Sequence, residues 1–266
     1  MKVIDCFIFY NEIDLLRYRL HALNDVVDYF ILVEATRTHV GKEKPLYFEE
    51  HKQEFSAFLP KIIHIIVDDF KYTYPTLDIS KKEQWENEWH QRNTIAKGIQ
   101  GLNLADDDII LICDVDEIPD PATLRSIKDS QLNNLVCLEM TMYCYDLTMQ
   151  FVSKWYHAKM LTYAVYKTLN MTIDNIRLSH FYRHVPVLNK GGWHLSFFGG
   201  THTIKNKVES YTHQELNVPS LTVELIQEKI NSVVYFGDAG RPLVKIPIEQ
   251  NSYLPTKYDS YLTMFF

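Results

Sequence analysis

The stretch Asp106–Asp120 constrains this chain more than any other. Five apolar residues, Ile109 to Cys113, stand between an acidic triplet (Asp106, Asp107, Asp108) and the run Asp114-Val115-Asp116-Glu117-Ile118-Pro119-Asp120. A short unbroken apolar run reads as a strand buried on both faces, the kind found inside a parallel sheet. Pro119 and Pro121 read as its stop, which puts Asp114, Asp116 and Glu117 at the carboxyl end. Ligands bind at that end in open α/β sheets. Alternation along an extended chain sends Asp114 and Asp116 to one side. Two carboxylates there suit Mg²⁺ or Mn²⁺, hard cations that fill their remaining positions with water and substrate phosphates. The competing reading is a solvated acidic loop.

A chain of 266 residues can bury a large α/β core. The net charge of −7 and pI near 5.9 exclude a nucleic-acid partner of the usual kind, which would meet a basic face. An anionic ligand must then be met by a local cluster or a metal. Cys6, Cys113, Cys137 and Cys144 show no Cys-x-x-Cys spacing, and a reduced, intracellular setting is the simpler account. No run of 18 or more apolar residues appears, so no membrane span is expected. With no signal peptide visible, the expected location is cytoplasmic.

Along the chain, Val3–Phe9 reads as a buried strand, Ile13–Leu23 as a helix and Asp28–Val33 as a second strand, the βαβ unit of a parallel sheet. Asn11, Glu12 and Glu34 then share the rim with Asp114 and Asp116. Thr36–Pro45 is a basic loop carrying Arg37, His39, Lys42 and Lys44, either touching a diphosphate or simply solvated. A helix is expected over 48–58, a strand over 62–67 and a long helix over 81–100. One face of the long helix delivers Arg92 towards the acidic corner, unless Arg92 pairs with Asp106 or Glu86. Further on, a short helix is expected over 124–128, strands over 136–145 and 156–166, and helices over 204–213 and 221–230. Paired glycines around Trp193 and His194 (Gly191, Gly192, Gly199, Gly200) suggest a loop whose backbone approaches something closely. The tail from Tyr235 reads as irregular.

The order Phe9-Tyr10-Asn11-Glu12, Val33-Glu34-Ala35-Thr36, Thr38-His39-Val40-Gly41-Lys42, His90-Gln91-Arg92-Asn93, Asp114-Val115-Asp116-Glu117-Ile118-Pro119 and Gly192-Trp193-His194 resembles glycosyltransferase family 17. That family includes enzymes that add the bisecting GlcNAc of N-glycans. The resemblance implies a GT-A fold: one α/β catalytic domain with a Rossmann-like, mostly parallel sheet. Residues 1–120 would be its nucleotide-binding half and 121–266 its acceptor half and C-terminal wrap. It also implies a nucleotide-sugar donor such as a UDP-sugar, a glycan or glycoprotein acceptor, Mn²⁺ or Mg²⁺, and inversion at the anomeric carbon.

On that footing Asp116, with Asp114 beside it, would hold the metal, His194 being the first candidate for a further ligand and His213 the second. Arg92, Lys42 or Lys44 would add positive charge against the diphosphate. Asn11, Glu12 and Glu34 would grip the nucleoside, and Trp193 either offers a face to a sugar ring or fills the core. The base that deprotonates the acceptor hydroxyl is left among Glu215, Glu209 and Asp146, with Glu215 leading. Two other readings stay open: a non-catalytic carbohydrate-binding protein and a sugar-nucleotide nucleotidyltransferase. The nucleotidyltransferase reading is weakened because Phe9-Tyr10-Asn11-Glu12 lacks a glycine-rich basic loop.

Overall fold

The computed structural model describes residues 1–128, 132–237 and 240–265. Its first half is a run of βα units: β1 (Val3–Phe9), α1 (Ile13–Leu23), β2 (Tyr29–Ala35), α2 (Tyr47–His51), β3 (Ile62–Val67), α3 (Glu83–Asn93), α4 (Ile95–Gln100) and β4 (Ile109–Asp114). The second half continues with β5 (Glu117–Pro119), α5 (Pro121–Lys128), β6 (Val136–Cys144), β7 (Asp146–Phe151), β8 (Lys159–Thr162), α6 (Tyr163–Leu169) and α7 (Ile173–Leu178). It closes with β9 (Val187–Ser196), α8 (Thr201–Ser210), α9 (Val223–Asn231), β10 (Leu243–Lys245) and α10 (Tyr258–Tyr261).

All strands join one sheet in the order β10-β7-β6-β8-β4-β1-β2-β3, with β9 on β6 and β5 on β9. The block β4-β1-β2-β3 is parallel throughout. The chain moves from β1 outward to β2 and β3, then returns to β1's other side as β4. The crevice between the carboxyl ends of β1 and β4 is therefore the topological switch point, where such sheets bind ligands. Alternation along β4 puts Ile109, Leu111 and Cys113 on one face, with α1, α5 and the C-terminal segment. Ile110 and Ile112 face the other layer, with α4 and α7. A smaller cluster joins β6 and β7 to α8 and α9. The four cysteines are free and buried. Among the described residues no helix is long and apolar enough to cross a membrane.

Local chemistry explains where the elements depart from the sequence reading. The helix expected over 81–100 breaks at Thr94, whose hydroxyl bonds back to the His90 carbonyl at 2.9 Å and tightens the turn. The strand expected over 156–166 stops at Thr162, because its hydroxyl accepts the Val165 N–H and caps α6. The helix expected over 48–58 is only the short α2, followed by 3₁₀ turns over Lys52–Phe55 and Leu59–Lys61. Gly191–Ser196, expected as loop, is the second half of β9. Its glycine does meet a close neighbour, but that neighbour is β5: a Cβ on Gly192 (φ +143°) would lie 2.1 Å from the Ile118 carbonyl oxygen. Nor do prolines end the strand after Cys113. β4 stops at Asp114, the chain turns at 115–116, and Pro119 belongs to β5 while Pro121 opens α5.

Candidate active site

The turn at 115–116 is held from below. Arg19 of α1 is fully buried and forks onto Asp5 of β1 at 2.5 and 2.7 Å. Its remaining N–H groups donate to the carbonyls of Asp114, Val115 and Glu117 at 3.0, 3.2 and 2.6 Å. An ion pair inside the apolar layer thus fixes the backbone that carries the acidic run. Beyond it, the three acidic side chains have three different environments.

Asp114 ends β4 on the α4 and α7 face. Both its oxygens accept from guanidinium groups, Arg92 at 3.1 Å and Arg177 at 2.6 Å. Glu117 is buried and takes Arg177 at 2.6 and 2.7 Å, the Trp155 indole N–H at 2.5 Å and the Asp114 N–H at 2.8 Å. Burial alone would raise the Glu117 carboxyl, but Arg177 outweighs it and holds it at about 2. Asp116 sits on the turn and faces a cavity of about 410 Å³ at the switch point. Lys207 of α8 donates to it at 2.9 Å and also reaches Glu12 at 3.3 Å. Burial pushes the Asp116 carboxyl up, yet Lys207 and His194 pull it well below the usual carboxylate range.

His194 arrives on β9. Antiparallel pairing sets Glu117 opposite His194 and Ile118 opposite Trp193, and the Leu195 N–H donates to the Asp116 carbonyl at 2.8 Å. Successive β9 side chains point to opposite faces. Trp193 therefore enters the core, where its indole donates to the Tyr253 carbonyl, and His194 meets the cavity. His194 Nε2 lies 3.6 Å from Asp116 Oδ1, while its Nδ1 is buried without a hydrogen-bond partner among the described residues. A carboxylate beside an imidazole with an uncommitted nitrogen is a donor set that Mn²⁺ accepts. Among the described residues no group of three or more His, Cys, Asp or Glu could hold an ion. Further donors would have to be phosphate oxygens and water.

Of the residues expected at the metal corner, the structure brings Asp116 and His194 together, at 3.6 Å. Asp114 is committed to two arginines, and His213 sits at 49% side-chain exposure against Glu215 at 2.6 Å. Glu215 and Glu12 line the cavity, but Glu209 and Asp146 do not. Glu209 pairs with Lys205 at 3.2 Å, and Asp146 accepts from Thr148 in the turn from β6 to β7. Glu34 is fully buried and spent on Lys44, His64 and the Phe48 N–H, so it is not open to a nucleoside. Lys44 does line the cavity, over the Tyr10 and Tyr47 rings at 5.6 and 5.0 Å, whereas Lys42 is exposed against Tyr74. Asn11 bonds Asn206 and is not a lining residue. Arg92 is buried and supports Asp114 without lining the cavity.

Several functional groups escape a reading of the sequence. Arg177 and Lys207 join the acidic corner from short segments of the second half, where nothing local marks them. Glu88 lines the cavity at 2.5 Å from Arg92; burial would raise it, but Arg92 and His39 hold it at about 2. Trp155, not Trp193, is the tryptophan in the wall, stacked between His157 and His194 at centroid distances of 4.1 and 4.6 Å. Arg241 lines the cavity as well. The one available signal was the pattern of long polar residues inside otherwise apolar segments, which predicts buried charge without naming its partner.

Sheet order, a switch-point cavity and a histidine set beside an acidic turn define an α/β fold with a ligand-sized cleft at the carboxyl ends of its parallel strands. The family model for Glycosyltransferase family 17 matches residues 1–245, and the chain belongs to that family. It is 32% identical over 122 residues to the β-1,4-mannosyl-glycoprotein 4-β-N-acetylglucosaminyltransferase of Rattus norvegicus, a stretch covering 44% of this chain and 22% of that relative. The Homo sapiens protein of the same name matches over the same extent. The chain thus spans under a quarter of the length of these relatives. Among solved structures, it is similar to glucosyl-3-phosphoglycerate synthase of Mycobacterium tuberculosis in complex with Mn²⁺, UDP-glucose and phosphoglyceric acid. That likeness has a TM-score of 0.36 at 12% identity over 97% of this chain and 91% of the other, too loose to bear on function.

Proposed function

We propose that this chain is a metal-dependent, inverting glycosyltransferase that moves a sugar from a UDP-sugar, with UDP-GlcNAc the favoured donor, to a hydroxyl of a glycan. The observation that carries the proposal is the meeting of Asp116 with His194 at the switch point, made by the β5–β9 pairing. In this reading Asp116 and His194 hold Mn²⁺ or Mg²⁺. The ion, when bound, supplies positive charge to the departing diphosphate. The parallel half takes the nucleotide and the second half the acceptor. Lys207 keeps Asp116 ionised, and Arg92 and Arg177 fix Asp114 and Glu117 so that the turn does not collapse.

An inverting transfer needs a base that is not already neutralised by a cation. Of the cavity carboxylates, Glu12 and Asp116 face Lys207, Asp114 faces two arginines, and Glu88 faces Arg92. Glu215 has a histidine as its partner and is 63% exposed, so we assign it the acceptor proton. The GlcNAc part of the reading is supported by the names of its relatives, which are N-acetylglucosaminyltransferases.

The test is calorimetry of UDP-GlcNAc, UDP-glucose and UDP-galactose with and without Mn²⁺ on the wild type and Asp116→Ala. Wild type is expected to bind one of them in an Mn²⁺-dependent way, and the variant to lose that dependence while keeping its circular dichroism spectrum. Equal affinity in the two proteins under both conditions refutes the metal role of Asp116.

A further inference from the structure

The cavity walls carry an excess of negative charge: Glu12, Glu88, Asp114, Asp116 and Glu215 all line it. Its lining Lys and Arg residues are Arg37, Lys44, Lys207 and Arg241. Three of these are neutralised within the protein: Arg37 by Glu43 at 2.9 Å, Lys44 by Glu34 at 3.1 Å, and Lys207 by Asp116 and Glu12. Arg241 is the exception. Among the described residues it has no carboxylate within ion-pair distance. Its guanidinium instead lies over the Phe151 ring at 4.5 Å and the Tyr235 ring at 5.9 Å, with one N–H group 3.1 Å from the Met142 sulfur, a weak acceptor.

That position is not arbitrary. Met142 is the in-register neighbour of His194 across the parallel β6–β9 pair, so Arg241 rests on the residue beside the histidine of the metal corner. Neighbouring strands lie about 4.8 Å apart. Arg241 itself is delivered by the segment that becomes β10, the edge strand, which pairs antiparallel with β7. Aromatic faces hold the guanidinium plane without using its hydrogen bonds, leaving its fork for a ligand. A cation with no ion-pair partner among the described residues, close to a carboxylate–imidazole pair, is what an anion bridging the two would need.

We propose that Arg241 binds the diphosphate of the nucleotide donor, its guanidinium forking onto phosphate oxygens beside Asp116 and His194. This rests on the proposed glycosyl transfer and adds to it the residue that receives the leaving group. As the acceptor oxygen bonds to the anomeric carbon, the carbon–oxygen bond to phosphate breaks and its electron pair goes to that phosphate oxygen. Arg241 meets the charge so formed through charge-assisted hydrogen bonds.

The experiment is calorimetry of UDP, GDP, CDP and ADP, with uridine as a phosphate-free probe, on wild type, Arg241→Met and Arg241→Lys, in Mn²⁺ and in chelator. Arg241→Met is expected to bind the preferred diphosphate at least about tenfold more weakly than wild type, and uridine equally well. Arg241→Lys keeps the charge but not the fork, and an intermediate loss is expected. A wild-type Kd for UDP that either variant reproduces within about twofold overturns the assignment. So does an equal loss for UDP and uridine, which marks displacement of the segment and not of a phosphate contact. If wild type binds none of the diphosphates in either condition, the proposed glycosyl transfer itself falls, and Arg241 with it.

Discussion

Replacing Arg177 with methionine should be costly, and the structure says how costly. The side chain is 4% exposed and makes three charge-assisted hydrogen bonds of 2.6 to 2.7 Å, two to Glu117 and one to Asp114. Asp114 would keep Arg92, but Glu117, fully buried, would keep only the Trp155 indole and one backbone N–H. Removing one partner of a buried pair leaves an uncompensated charge and costs about 3–5 kcal/mol. For a chain of this size that is a fall in melting temperature of roughly 5–10 °C. Urea denaturation followed by circular dichroism measures it. Glu117→Gln in the same background removes the stranded charge and keeps an acceptor for Trp155. The double variant should therefore lose less than the two single losses added, with a coupling of about 0.5–3 kcal/mol. Arg177→Met within about 1 kcal/mol of wild type, or strictly additive losses, would refute the account of this corner.

Gly192→Ala forces a Cβ against the Ile118 carbonyl, so β5 must retreat from β9. Mn²⁺ affinity should fall by at least about tenfold as Asp116 leaves His194, and an unchanged titration counts against the register argument. Glu215→Gln should keep donor affinity and lose about 10²–10⁴-fold in transfer; near-normal turnover moves the base elsewhere. Burial holds the His157 imidazole down at about 2. The unfolded chain takes up that proton near pH 6.5 and the folded one does not, so stability drains away as pH falls below about 6.5, by up to about 1.4 kcal/mol per pH unit. Melting curves from pH 7 to 5 should show the fall, and His157→Gln should flatten it.

The parts of the fold that were legible in the sequence are those whose apolar pattern is local. β1, α1 and β3 show their own periodicity and lie where it puts them. Asp116 and His194 were each visible as candidates, but the strand pairing that joins residues this far apart was not. Glu34 and Lys44 illustrate the limit: both belong to the rim, yet they answer each other and leave the ligand to others. Trp193 makes the same point, since the pleat of β9 sends its ring to the core and the His194 ring to the cavity, which no composition rule can show. Arg177, buried, and Arg241, half-buried, were missed because the role of such a cation is recognisable only once its neighbours are in place.

One consequence of the β9 pleat concerns how this chain tolerates change of length. Trp193 and His194 differ by a single step along the same ladder, so inserting or deleting one residue between Val187 and Gly192 would exchange their destinations, aiming the indole at the cavity and the imidazole at the apolar layer. Substitution libraries aimed at new donors can vary the cavity's side chains one by one. Libraries that shift spacing belong outside this strand, because here chain length itself encodes which ring meets the cavity.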